Sequence, residues 1–410
     1  MAIIYVDPSA GSDGSGTQIS PRNVLPTPGA NDTVLLKSGT TLKQVVPGSF
    51  FAPGGVTLAE YGTGSKPVID GSSIISAWTL DSANGVYYAQ LAGNTAGNLT
   101  QDGVPMLFTA WSTNIATTAP LIPTGGYSFD YTNFRLYIKP TGGTTAGSVF
   151  VASGLVNLVT VLNAKGSTLR NLSLKYASKH GIIANNVQSS NFTGIDIWMC
   201  GGYRDTGINA YVGNGFEVSI NSWDLTYKDG TAEEIYDSGF SPQQYGGKLY
   251  YDQMRSMYFE NLTAKKCGMA GFEITAYSPS QRTTGIEVNG LVAEDIGKNC
   301  FSRSRTGYGH GIWVATDGRA TSSLDQLLIY NAKVTRAVRG ITLDQANGTL
   351  CVANSTFTDI AQLNGNTGAW AYVNQQIANR TRLVSVNNTN TNTGPAVGNV
   401  VYGTVFATGR

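Results

Sequence analysis

A recurring pair of short segments, spaced by a near-constant distance, leaves few folds open to this chain. Asn261-Leu262-Thr263-Ala264 is followed ten residues on by Gly271-Phe272-Glu273-Ile274-Thr275. Asn171-Leu172-Ser173-Leu174 precedes Gly181-Ile182-Ile183 by ten, and Asn331-Ala332-Lys333-Val334 precedes Gly340-Ile341-Thr342 by nine. Gly194-Ile195-Asp196-Ile197 precedes Gly207-Ile208-Asn209 by thirteen, and further copies open at Asn221, Asn289 and Asn354. The openings at 171, 194, 221, 261, 289, 331 and 354 are separated by 23, 27, 40, 28, 42 and 23 residues, a unit of about 23 with insertions. The unit is too short for a helix pair, and its period-2 patches of Val, Ile, Leu, Phe and Thr between Gly and Asn corners indicate short strands. One coil cannot bury its apolar face alone, whereas stacked coils share a continuous core, with parallel strands ~4.8 Å apart. A column of stacked Asn side chains is expected to bond from coil to coil at the turn.

Charged residues make up 13% of the chain, against about 25% in an average soluble protein, and Gly is enriched at 50 residues. A net charge of +1 gives no basic stripe for nucleic acid. No apolar run reaches the ~18 residues of a membrane span, so no membrane insertion is expected, and Met1-Ala2-Ile3-Ile4 does not read as a signal peptide. Cys200, Cys267, Cys300 and Cys351 lack metal-ligand spacing, and no metal or cofactor is expected. Cys200 and Cys267 each lie six residues after an opening and read as stacked, reduced core thiols. Synthesis in a cytoplasm follows, with release by lysis or a leader outside this sequence.

Three segments carry a family likeness: Ile4-Tyr5-Val6-Asp7-Pro8-Ser9-Ala10-Gly11-Ser12-Asp13-Gly14-Ser15-Gly16-Thr17, Asp32-Thr33-Val34-Leu35-Leu36-Lys37-Ser38-Gly39-Thr40, and Tyr61-Gly62-Thr63-Gly64-Ser65-Lys66-Pro67-Val68-Ile69-Asp70-Gly71. With the repeats, most of the chain resembles the pectate-lyase-like, right-handed parallel β-helix proteins. That resemblance implies an all-β solenoid, and it includes polysaccharide lyases, glycoside hydrolases, epimerases and phage tailspikes, so the fold does not fix the chemistry. The likeness to tailspike depolymerases implies a homotrimer, a polysaccharide partner and a place in a virion tail or among secreted proteins. A weakly charged, Gly/Asn/Ser/Thr-rich surface suits neutral or mildly acidic sugars.

Residues 1–70 read as a cap and first coils. Residues 71–150, with Trp78-Thr79-Leu80, Val86-Tyr87-Tyr88-Ala89-Gln90-Leu91 and Phe134-Arg135-Leu136-Tyr137-Ile138-Lys139, read as inserted antiparallel strands on the helix flank. Regular coils carrying the site occupy 151–360, and 361–410 forms a C-terminal cap or oligomer contact. Long insertions point to the site, because loops crowded on one edge of a rigid scaffold usually carry function. From Asn221 the next Gly-apolar strand reads as Gly247-Lys248-Leu249-Tyr250, twenty-six on, and from Asn289 as Gly311-Ile312-Trp313, twenty-two on.

Between these excursions the sequence predicts an outward column of Ile183, Asn209, Glu273, Trp313 and Thr342. Glu273 is its only carboxylate. A partly desolvated acid beside an aromatic platform is what sugar cleavage needs. A glycosidase requires a second carboxylate, ~5 Å away for retention or ~6.5–9.5 Å for inversion. Asp237, among Tyr236, Phe240 and Tyr245, is the preferred partner, followed by Asp252, with Asp229, Asp205 and the pair Glu233-Glu234 also available. Trp313, Tyr277, Arg282, Tyr236, Tyr245, Tyr308 and Asn209 are the candidate substrate contacts. Trp198 and Trp223 sit in strands and read as core. His310 reads as a turn residue, as does His180. A lyase acting on uronates by β-elimination would instead use a base with Lys265, Lys266, Arg282, Arg303, Arg305 or His310, and no calcium-loop spacing is present. A third reading is a glycan-binding tail protein without catalysis.

Overall fold

The computed structural model describes residues 1–52, 54–92, 97–111, 114–154, 156–205, 210–244, 253–276, 282–298, 300–301, 308–316, 323–344, 348–360, 371–374, 381–391 and 400–402. Period-2 alternation folds these residues into three long parallel sheets that wind around one apolar interior. Among the described residues the first sheet has 12 strands, from Ile3–Val6 to Val400–Tyr402. The second has 10, from Thr41–Leu42 to Thr389–Thr391, and the third has 8, from Val159–Leu162 to Ala371–Asn374. One coil shows the winding. Gln253–Glu260 lies in the first sheet, Thr263–Cys267 in the second and Ala270–Ala276 in the third, and Arg282–Asn289 returns to the first. The fold is a right-handed parallel β-helix.

Inward side chains stack in register from coil to coil. In the third sheet Phe216, Phe240, Phe272, Ile312 and Ile341 form one buried column. Beside them, Phe216 lies 4.5 Å from Tyr227 and Phe272 lies 4.9 Å from Phe259, ring centre to ring centre. The glycine before each of these residues has its own reason. A Cβ at Gly181, Gly215, Gly239, Gly271 or Gly311 would stand 2.5–2.9 Å from the carbonyl oxygen of the matching glycine in the next coil. Backbone crowding, rather than a turn conformation, therefore explains the recurring Gly-apolar pair.

The recurring Asn has a different origin from the one expected. At the corner between first and second sheets, Asn171, Gly194, Asp229, Asn261, Gly290, Asn331, Asn354 and Asn387 all take positive φ, between 50° and 75°. Asn, Asp and Gly tolerate this left-handed backbone, which costs other residues roughly 1–2 kcal/mol. Side-chain bonds across coils occur at this corner, as from Asn261 Nδ2 to Asp229 Oδ1 at 3.1 Å, but no single unbroken Asn column is needed. Asn221 is not at this corner. Its coil turns at Asp229, and Asn221 belongs with Asn163 and Asn186 at the corner between third and first sheets. Cys200 and Cys267 share a column and are unpaired, with Ile235 between them rather than in direct contact.

Residues 72–153 leave the solenoid as two small sheets. Ser72–Ile75, Phe150–Ser153, Leu99–Gln101 and Val104–Pro105 pair antiparallel. Thr79–Asp81, Val86–Gln90, Arg135–Lys139 and Gly126–Asp130 do the same, and Leu107–Trp111 adds a parallel edge. Their shared core, with Tyr127, Phe129 and Phe150, packs against Tyr176, Met199, Tyr236 and Phe301 of the solenoid. Polar bonds fix the docking: Asn98 Nδ2 donates to Ala177 O and Met199 O at 2.9 and 3.0 Å, and the Phe108 amide donates to Cys300 O at 2.7 Å. Trp198 is part of this flank contact and Trp223 lies outside under the Arg255 guanidinium, so neither belongs to the solenoid core. Among the described residues no helix is long and apolar enough to cross a membrane.

Candidate active site

The outward face of the third sheet carries the chemistry. Parallel register places Ile183 beside Glu217, Glu217 beside Ser241, Glu273 beside Trp313 and Trp313 beside Thr342. Pairing of Phe240 with Phe272 sets Ser241 next to Glu273. The column therefore holds two carboxylates. Glu217 occupies the position assigned by sequence to Asn209, which lies outside the described residues. Glu217 was missed because the hairpin Tyr203–Asp205/Ala210–Val212 pushes its strand to Phe216–Ser219, away from Gly207. The strand following Thr231–Ile235 is likewise Ser238–Gln244, entered through Gly239-Phe240, so the coil's insertion leaves the corner between third and first sheets. Gly247–Tyr250 lies outside the described residues.

Glu273 is 1% exposed. Its Oε2 accepts from Ser238 Oγ at 2.6 Å, and its Oε1 has no partner. Burial pushes its carboxyl up to about 8, Ser238 and Ser241 oppose the shift, and the charges of Asp237 and Glu217 add to it. Asp237 is also buried, at the corner just before Ser238, and its Oδ2 accepts from the Gly213 amide at 3.1 Å. The next residue, Asn214, ties the group together. Its Nδ2 donates to Glu217 Oε2 at 3.0 Å, its Oδ1 accepts from the Ser238 amide at 2.9 Å, and its own amide donates to His180 Nδ1 at 3.1 Å. Burial lowers His180 below its usual range. Nδ1 of a neutral ring that already accepts an amide proton makes no ion pair with Glu217 Oε2, 3.2 Å away. Neither Asn214 nor Ser238 carried a recognisable sequence signal, because their roles come from a corner where three coils meet.

Trp313 stands one strand from Glu273 and is partly exposed. Its ring is backed by His310, centroids 5.5 Å apart and planes 19° from parallel. His310 is not a simple turn residue. It opens the strand His310–Thr316, its Nδ1 lies 2.7 Å from Thr342 Oγ1, and burial, then Arg339, pushes it down to about 3. A neutral imidazole thus backs the indole, and Tyr308 stands edge-on to the His310 ring at 6.3 Å.

The architecture matches solved carbohydrate-active proteins. A rhamnogalacturonan lyase superposes at a TM-score of 0.53 with 12% identity, covering 98% of this chain and 84% of the other. Pectate lyase Pel9A gives 0.53 with 15% identity over 98% and 79%. A glycoside hydrolase gives 0.50 with 8% identity over 98% and 96%. The chain shares their parallel β-helix fold. No family model matches the sequence, and no curated protein matches it. At these identities the likeness concerns the β-helix and not its chemistry.

Within this β-helix the sequence-predicted site residues divide. Glu273, Asp237, Trp313 and Tyr308 are gathered at the third sheet. Tyr236 is not a substrate contact; it is buried edge-on against Tyr211 and Phe301, where it seals the flank sheets to the solenoid. Arg282 belongs to the first sheet, where it lines an open depression of about 490 Å³ with Thr284, Asp325, Gln326 and Thr349. Asp252, Tyr245, Tyr277, Arg303 and Arg305 lie outside the described residues. Glu234 is buried, accepts from the Cys300 amide at 3.0 Å and pairs with Lys266 at 3.2 Å, so it is not a solvated carboxylate. Lys265 faces Glu294 at 3.6 Å on the second sheet. Among the described residues, no group of three or more His, Cys, Asp or Glu is placed to hold a metal ion.

Proposed function

We propose that this β-helix cleaves a bacterial surface polysaccharide (a capsule, O-antigen or exopolysaccharide) by glycoside hydrolysis, as a tailspike-like depolymerase. The observation that carries the reading is Glu273, a buried carboxyl pushed up to about 8 and placed one strand from the partly exposed Trp313. In this reading the sugar stacks on Trp313, and Glu273 gives its proton to the glycosidic oxygen as the bond to the anomeric carbon breaks. A second carboxylate takes a proton from water as the water oxygen bonds to that carbon. Asp237 is one candidate partner, and Glu217 is the other. Glu217 sits two strands from Glu273, about 10 Å between backbones at ~4.8 Å per strand, which leaves room for a water as inversion requires.

The test is digestion of a panel of capsular, O-antigen and uronate polysaccharides by wild type and Glu273→Gln. Reducing ends and the ultraviolet absorbance of unsaturated uronate are followed together. Reducing ends without absorbance, lost in the variant, are expected. Both signals rising together would make the chain a β-eliminating lyase, and binding without either would make it a glycan-recognition protein. The same proposal places the chain in a virion tail or among secreted proteins, as a homotrimer. Sedimentation equilibrium is expected to give three times 43.3 kDa, and a monomer at micromolar concentration counts against the tailspike assignment.

A further inference from the structure

The depression at Arg282 lies at the end of an outward row on the first sheet. Register sets Trp223 beside Arg255, Arg255 beside Thr284 and Thr284 beside Asp325, a row of about 14 Å at ~4.8 Å per strand. Each of the four is followed by a residue in the left-handed region, Asp224, Ser256, Gly285 and Gln326, with φ between 53° and 65°. The next coil drops this extra residue. Leu324 pairs with Gly348 and Leu327 with Leu350, so Asp325 and Gln326 together face Thr349 alone. Such a bulge ends regular pairing and re-aims the side chains around it. The depression of about 490 Å³ opens at this step, lined by Arg282, Thr284, Asp325, Gln326 and Thr349. Arg282, Asp325, Gln326 and Thr349 are exposed, so a ligand reaches them directly from solvent.

The charges here are left open. Arg22, Arg170 and Arg336 sit in ion pairs, whereas Arg255, Arg282 and Asp325 have none among the described residues. Arg255 instead lies over the Trp223 ring, 5.6 Å from its centre. Two guanidiniums against one carboxylate leave the strip positive. A guanidinium fork matches the two oxygens of a carboxylate, while Asp325, Gln326 and Thr349 supply acceptors and donors for hydroxyls. A uronate sugar carries both kinds of group. The strands of Arg282 and Asp325 follow those of Glu273 and Trp313, one corner along the same two coils.

We propose that this strip is a second glycan site, which holds an acidic polysaccharide by its uronate carboxylates, apart from the Glu273 column. It rests on the polysaccharide reading above, but not on hydrolysis. Arg282 takes a carboxylate, Asp325, Gln326 and Thr349 take ring hydroxyls, and Arg255 on Trp223 meets the polymer further along the row. These are recognition residues and take no part in bond cleavage.

The test uses the full chain carrying Glu273→Gln and Trp313→Ala, so that polymer is not consumed and the third-sheet column is weakened. Affinity for each uronate polysaccharide of the panel, and for its carboxyl-reduced form, is measured by calorimetry. Arg282→Gln is expected to weaken uronate binding roughly tenfold or more, the range of a charge-assisted hydrogen bond, and Arg282→Lys to recover only part of it. Thr349→Trp, which fills the depression, is expected to cause a similar loss. Equal affinity in Arg282→Gln and Thr349→Trp overturns the site. Equal binding of the carboxyl-reduced polymer overturns its acidic specificity, and displacement by inorganic phosphate at equal concentration reduces it to a site for any anion. If wild type cleaves no polymer while Arg282-dependent binding persists, hydrolysis fails and the second site stands. If polymer is cleaved but its binding ignores Arg282, hydrolysis stands and the second site fails. If no uronate polymer binds, the second site fails whatever is cleaved.

Discussion

Glu273→Gln is expected to lower the cleavage rate by about 10²–10⁴, the usual contribution of a positioned acid, while raising thermal stability at neutral and alkaline pH. The two effects have one cause. Burial, with the charges of Asp237 and Glu217 adding to it, pushes the native carboxyl up to about 8 from an ordinary 4.5. The folded chain therefore binds more protons than the unfolded chain between these values, and stability falls as pH rises across that window. At one pKa unit per 1.36 kcal/mol the penalty reaches at most about 5 kcal/mol above pH 8. Glutamine carries no such charge. Thermal melts at pH 4, 6 and 9 should show the variant's advantage over wild type appear above pH 4.5 and level off beyond pH 8. An advantage that does not change with pH would mean that Glu273 is not held protonated. If the proposed cleavage holds, kcat of the wild-type chain is expected to fall as pH passes 8, when the acid loses its proton. A rate still rising there would assign Glu273 to a base.

Gly271→Val is expected to destabilise the chain by about 3 kcal/mol or more, with insoluble expression at 37 °C and recovery of soluble protein on cooling. A Cβ at Gly271 would stand 2.8 Å from Gly311 O and 2.7 Å from Ala293 Cβ. The first contact is to backbone, which cannot move without disturbing the parallel ladder that pairs Phe272 with Ile312 and Glu273 with Trp313. Gly39→Val offers the control. It takes positive φ, but nothing lies near the position its side chain would occupy, so its cost is confined to local backbone strain. Urea unfolding of both variants checks this. Equal losses would show that conformation, and not coil-to-coil crowding, conserves space at Gly271.

The parts of the molecule legible in its sequence are those set by local chemistry. A left-handed corner admits Asn, Asp or Gly, and a crowded strand entry admits only Gly, so Asn261 and Gly271 announced a coil without any knowledge of its neighbours. Keying on Asn alone misplaced one corner, because Asp229 does the same work in the coil that contains Asn221. The apolar alternation around Phe272 likewise placed Glu273 outward and Trp313 near it, since strand period 2 and coil stacking leave no other arrangement.

What the site holds beyond that depends on contacts between coils. Whether Tyr236 faces a glycan or seals the flank sheets depends on where residues 72–153 dock, and whether Arg282 joins Glu273 depends on where its loop ends. Glu217 entered the column only because a hairpin displaced its strand by several residues. Asn214 and Ser238 became partners of carboxylates because three corners converge there. Sequence alone determined that this chain is a stacked β solenoid with Glu273 and Trp313 on its outer face, because backbone conformation and side-chain alternation are properties of a few consecutive residues. Tertiary structure alone decided that Glu273 is buried, pushed up toward its protonated form and placed within reach of Ser238 and of the charges of Asp237 and Glu217, because desolvation and charge coupling act between residues that only the winding of the coils brings together.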